Sequence, residues 1–163
     1  MNDARILYID HNRDLNYMVH RYFTNSGFKC DTALSIDEGI KLFDSNKFAG
    51  VIFHWNIYCS QNLINKYKQK AEWLTVLSQD PAYRNKYGEF DVSLLPGGGI
   101  FIVHLHSEGF SGIRILTTGA GAVVQIAKLL EAGLIEEHVS RPYSLEHLVD
   151  KLGDHGIFPD TQQ

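Results

Sequence analysis

The sequence predicts an α/β protein in which parallel strands form one open sheet with helices on both faces. Three observations carry that expectation. Gly50-Val51-Ile52-Phe53 is continuously apolar, the mark of a strand buried on both sides. Strand and helix patterns alternate strictly from Arg5 to His54, and single helices between strands give parallel pairing through right-handed crossovers. After an interruption, the same alternation resumes near Gly97 and runs to Leu152.

Arg5-Ile6-Leu7-Tyr8-Ile9 is the first strand, and it stops at Asp10-His11-Asn12-Arg13-Asp14. From Leu15 to Ser26, the apolar residues Leu15, Met18, Val19, Tyr22 and Phe23 recur at helical spacing, with Gly27 as the C′ residue. Phe28 to Ala33 is a weaker strand. Ser35 and Glu38 form a capping box for the second helix, which buries Ile36, Ile40, Leu42 and Phe43. The central strand then ends at His54. Ligands of open α/β sheets sit beyond the carboxyl ends of the strands, so His54 stands where chemistry is expected.

Residues 58–96 read as an insertion. Gln61 to Ser78 has helical spacing through Leu63, Ile64, Tyr67, Ala71, Leu74 and Leu77, and Asp80-Pro81 ends it. Tyr83, Arg84, Lys86 and Tyr87 lead to Pro96-Gly97-Gly98-Gly99, expected to be a hinge returning the chain to the core, with an anion cradle as the other use of such a run. Ile100 to Glu108 reads as a short helix, although Ile100-Phe101-Ile102-Val103 also suits a strand. Gly112 to Thr118 is a strand, Ala122 to Ala132 a helix capped by Gly133, and Glu137 to Ser140 a short strand. Ser144 opens a last helix through Leu145, Leu148, Val149 and Leu152. The expected organisation is a single domain over 1–155 and a tail over 156–163.

Bulk properties narrow the function classes. The 163 residues are 44% apolar and 21% charged, ordinary for a soluble domain with a real core. A net charge of −4 gives no support for nucleic-acid binding. Apolar runs fall short of a membrane span, and Met1-Asn2-Asp3-Ala4-Arg5 leads directly into a strand, so neither membrane nor signal peptide is expected. Two cysteines, Cys30 and Cys59, read as reduced thiols of a cytoplasmic protein.

Over residues 4–55 and 97–153 the chain resembles the receiver domain of two-component response regulators. Ile6-Leu7-Tyr8-Ile9-Asp10 is similar to that family's first strand with its acidic end. Thr118 with Gly119 and Ala120 matches the hydroxyl and small residues after the fourth strand. Ala132-Gly133 and Ser140-Arg141-Pro142-Tyr143-Ser144 resemble the family's helix-end Ala-Gly and its Lys-Pro-Phe-Ser segment. The resemblance implies a flavodoxin-like fold of five strands in the order 2-1-3-4-5, with a helical insertion after strand 3. It also implies a switch in which three carboxylates bind Mg²⁺, one takes a phosphoryl group, a Lys pairs with the phosphate, and a Thr/Ser and an aromatic move toward it.

Residue by residue, the first acidic position is Asp10, the second is His11, and the phosphoacceptor position holds His54. The Lys position holds Arg141, the hydroxyl is Thr118, and the aromatic switch position falls near His138. Mg²⁺ wants hard oxygen ligands, which two imidazoles do not supply. His54 cannot form an acyl phosphate, and Arg keeps a charge without the compactness of Lys. The chain is therefore expected to be a pseudo-receiver: a signalling module with no enzymatic activity and no cofactor, acting on a signalling protein partner. No output domain is expected after Leu152, so output is expected through contact. The resemblance further implies a possible homodimer through the fourth helix, fifth strand and fifth helix, where Lys128, Glu131, Glu137 and Glu146 would set the pairing.

Several residues admit a second use. Asp10, His11 and His54 suit Zn²⁺ better than Mg²⁺ and would make a transition-metal or small-ligand sensor. The plainer alternative has His54 filling the aspartate's space and bonding Asp10 or a loop carbonyl. A phosphoacceptor histidine at His54 is a third use. His104 and His106 point apart on a helix and are expected to be ordinary surface or half-buried side chains. Thr118-Gly119-Ala120-Gly121-Ala122-Val123-Val124 partly matches a dinucleotide fingerprint, with Val124 where the third Gly belongs. The insertion's aromatics (Trp55, Tyr58, Tyr67, Trp73, Tyr83, Tyr87 and Phe90) suit either an interface or a lid packed on its own domain.

Overall fold

A computed structural model of the chain describes residues 4–67, 96–119 and 123–160, without the side chains of 123–125. Its strands are β1 (Arg5–Ile9), β2 (Lys29–Ala33), β3 (Gly50–His54), β4 (Ile113–Thr118) and β5 (Glu137–Ser140). The helices are α1 (Arg13–Asn25), α2 (Ile36–Ser45), α3 (Gln61–Tyr67), α4 (Gly97–Ser107), α5 (Val123–Glu131) and α6 (Leu145–Asp154). All strand pairs are parallel and their order is β2-β1-β3-β4-β5, the doubly wound sheet expected from the sequence.

Side-chain alternation along each strand divides the interior into two layers. Leu7, Ile9, Val51, Phe53 and Leu116 face a core shared with α2, α4 and α5, through Ile36, Ile40, Phe101, Ile126 and Leu129. Ile6, Tyr8, Ile52, Ile115 and Val139 face the opposite core, built with Val19 and Phe23 of α1 and Leu148 and Leu152 of α6. Every residue of β3 is buried, as its unbroken apolar run implies.

Local chemistry sets the helix starts. Asn12 accepts the Leu15 amide at 3.0 Å, so α1 begins at Arg13, two residues before the apolar periodicity shows. Ser35 accepts the Glu38 amide at 3.2 Å while the Glu38 carboxylate accepts the Leu34 amide at 2.8 Å, a capping box displaced by one residue on the return bond. Ser144 accepts the His147 amide at 3.1 Å at the head of α6. Gly27 takes φ +89°, the left-handed conformation expected after α1.

One expectation is corrected. Gly97, Gly98 and Gly99 are not a hinge; they are the buried first turn of α4. A Cβ on Gly97 would lie 2.3 Å from the Ile57 carbonyl oxygen, and one on Gly98 would lie 2.9 Å from the Trp55 Cα. The glycines are there because the helix start rests on the chain leaving β3, and the Gly98 amide donates to the Trp55 carbonyl at 3.0 Å. Ile100 to Val103 is helical because β3 and β4 are parallel neighbours, and a parallel pair requires a crossover between its strands. The expected helix beyond Tyr67, together with Trp73, Tyr83, Tyr87 and Phe90, lies outside the described residues. So does the choice between lid and interface. Among the described residues no helix is long and apolar enough to cross a membrane.

Candidate functional site

The carboxyl ends of β1, β3, β4 and β5 bring the expected site residues to one end of the sheet. Asp10 follows β1 and is fully buried. Its Oδ1 accepts the Asn12 amide at 2.9 Å, and its Oδ2 is paired with the Arg141 guanidinium from the loop after β5. The Arg141 amide in turn donates to the Thr118 carbonyl at 2.8 Å, which fixes that loop to β4. Asn16, one turn into α1, donates to the Asp10 and Ala33 carbonyls at 2.8 and 3.1 Å. Tyr8 shares the Asp10 face of β1; its hydroxyl lies 2.8 Å from that of Tyr143 and 3.4 Å from Asp10 Oδ2. Burial, then the neighbouring Tyr143, pushes the Tyr8 phenol far above its ordinary value. The Nε of Arg141 and Oδ1 of Asn16 are buried without a hydrogen-bond partner.

His54 is 5% exposed, and the β3–β4 register places it opposite Thr117. Its Nδ1 lies 2.9 Å from the Thr117 carbonyl oxygen. A carbonyl only accepts, so Nδ1 carries the proton of the neutral ring. Burial lowers the pKa of His54, with the Thr117 bond acting against that shift and His11 adding to it. The bonding partner differs from the Asp10 or loop carbonyl expected, because the strand register puts a β4 carbonyl nearest. His11 is on the surface loop, its Nδ1 3.7 Å from Asp10 Oδ1 and its ring centroid 5.5 Å from that of His54.

Thr118 and His138, the residues at the expected switch positions, meet directly: Thr118 Oγ1, on a residue 2% exposed, is 2.8 Å from His138 Nε2. Burial lowers the His138 pKa, with Glu137 opposing.

Mg²⁺, the ion implied by the receiver resemblance, does not fit these residues. Both Asp10 oxygens are engaged by Arg141 and Asn12, and the neighbouring positions are imidazoles. Among the described residues no three His, Cys, Asp or Glu side chains are placed to hold a metal ion, so Asp10, His11 and His54 do not form a three-ligand centre.

One other expectation, the placement of His104, is overturned. His106 is exposed, but His104 is 1% exposed and bonded at both nitrogens, a correction to the surface or half-buried placement. Tyr67 Oη lies 2.6 Å from His104 Nδ1, and His104 Nε2 lies 3.0 Å from Asp44 Oδ1. The neutral ring satisfies both by accepting from Tyr67 and donating to Asp44, which joins α3, α4 and α2. Burial lowers the His104 pKa against the pull of Asp44 and Glu108. Most of the partial dinucleotide fingerprint lies outside the described residues; Gly119, within them, is exposed.

Sequence reasoning did not assign Tyr8, Asn12, Asn16, Thr117 or Tyr143 to the site. The available signal was parity: Tyr8 stands two residues before Asp10, and alternate strand residues share a face.

No family model matches this sequence, and no curated protein matches it. Solved structures do match. The signal receiver domain of an HD domain-containing protein from Pseudomonas fluorescens Pf-5 superposes with a TM-score of 0.64 at 16% identity, covering 94% of each chain. A CheY-like response regulator receiver domain protein from Methanospirillum hungatei JF-1 gives a TM-score of 0.62 at 14% identity, over 93% of this chain and 92% of the other. The response regulator protein TrrA from Thermotoga maritima, in complex with Mg²⁺-BeF, gives 0.59 at 16% identity, over 93% and 97%. Such identities establish the architecture alone: the chain has the fold of CheY-like receiver domains.

Proposed function

We propose that the chain is a receiver-fold signalling module that acts by contact with a protein partner and is not controlled by aspartyl phosphorylation. The observation that carries this reading is the end of β3. An imidazole stands there, and its Nδ1 is committed to the Thr117 carbonyl. An acyl phosphate needs a carboxylate, and the one on the pocket floor, Asp10, is buried against Arg141. The guanidinium supplies from within the chain the positive charge that a bound ion would bring.

The contact surface under this reading is α5, β5 and α6, facing a signalling protein or a second copy. Of the four residues expected to set pairing, Glu131 and Glu146 are exposed and Lys128 is half-buried. Glu137 is held within the chain by Lys151 at 3.2 Å. Intermolecular selectivity therefore rests on Glu131 and Glu146. The reading assigns no catalytic step and no cofactor to the chain.

Intact-mass spectrometry after incubation with acetyl phosphate and Mg²⁺ tests it. An unchanged mass is expected. The gain of one phosphoryl group would overturn the proposal.

A further inference from the structure

His11 and His54 hold ring nitrogens that the described packing does not consume. Because His54 donates Nδ1–H to the Thr117 carbonyl at 2.9 Å, its Nε2 keeps a lone pair. Metal-bound histidines are held in the same manner: the second nitrogen donates to a backbone carbonyl or carboxylate and fixes both tautomer and ring direction. His11 stands on the β1–α1 loop with its side chain 54% exposed, and its ring centroid lies 5.5 Å from that of His54 at 35° between planes. A metal bonded to an imidazole nitrogen sits ~3.2 Å from the ring centroid, so two rings at a tetrahedral angle are ~5.2 Å apart. The observed spacing is close to what one shared ion needs, and the exposed His11 is free to adjust.

Asp10 is not a third ligand, since its oxygens are taken by Arg141 and the Asn12 amide. Two neutral imidazoles with water completing the shell favour borderline transition metals over the hard cations Mg²⁺ and Ca²⁺. We propose that His11 and His54 together bind one divalent transition-metal ion, of the class of Cu²⁺, Zn²⁺ and Ni²⁺, with water in the remaining positions. Such an ion ties the loop that carries His11 and caps α1 to the end of the central strand. The site stands independently of whether the chain signals by contact.

Titration of the full chain with Cu²⁺, followed by electron paramagnetic resonance, tests the proposal, because Cu²⁺ is the tightest binder in the divalent series. One equivalent of Cu²⁺ with hyperfine coupling to two imidazole nitrogens is expected. His11→Ala, on an exposed loop, should weaken binding by at least about tenfold, whereas His147→Ala, an exposed histidine on α6, should leave it unchanged. His54→Asn should match His11→Ala; if it does not fold, the loop variant decides alone. Equal binding by wild type and His11→Ala, or coupling to fewer than two imidazoles, would overturn the site.

Discussion

His54 and His104 show how neighbours decide what a histidine does. Both are buried, at 5% and 1% exposure, and in each the neutral ring satisfies the bonds around it. Burial holds these two rings and His138 below the ordinary imidazole value of 6.5. Between the lowered values and 6.5 the unfolded chain therefore binds more protons than the folded one. The stability these groups contribute is fully present above pH 6.5 and is lost as pH falls through that window. Urea midpoints measured from ~pH 7.5 down to ~pH 5.5 should decline, and His104→Gln should flatten the decline. An equal slope in the variant would mean that His104 is not held neutral. None of this was legible locally. His104 meets Asp44 and Tyr67 across 60 and 37 residues of sequence, and no short-range pattern marks such partners.

At the scale of elements, the sequence pattern showed most where one face of a helix stays wet. The amphipathic α1, α2 and α6 announced themselves by spacing and caps. By contrast α4 is buried from Gly97 to Leu105, with the sheet's core on one side and α2 and α3 against it. A helix without a solvent face has no period to read, so Ile100 to Val103 looked equally like a strand. Its glycine head looked like a hinge because glycine serves both loops and close packing; the Trp55 and Ile57 backbones decide the matter. Gly98→Ala places a methyl 2.9 Å from the Trp55 Cα, backbone that cannot swing aside. The substitution should cost about 1–3 kcal/mol in urea unfolding. A cost near zero would mean that α4 does not lie against the β3 exit.

For the molecule as a whole, the parallel doubly wound sheet was legible from the alternation of strands and helices, while its strand order followed from the resemblance to receiver domains. The end of the sheet that gathers the candidate residues was legible too, since open α/β sheets place their chemistry beyond the strand ends. What occupies that end was only half legible. Residue types could be assigned, but the Asp10–Arg141 pair spans 131 residues and the Thr118–His138 bond spans 20, and both depend on strands meeting in space. The result is a pocket whose buried carboxylate is neutralised by the chain's own guanidinium and whose central strand ends in a bonded imidazole.

The most direct test of that closed pocket is a pair of amide NMR spectra of the chain, without and with Mg²⁺ and beryllofluoride, the phosphoryl mimic. Unchanged resonances for Asp10, His54, Thr118 and His138 are predicted. Saturable shifts at those residues would show a pocket that accepts a metal and a phosphoryl group, and would contradict the contact-only module.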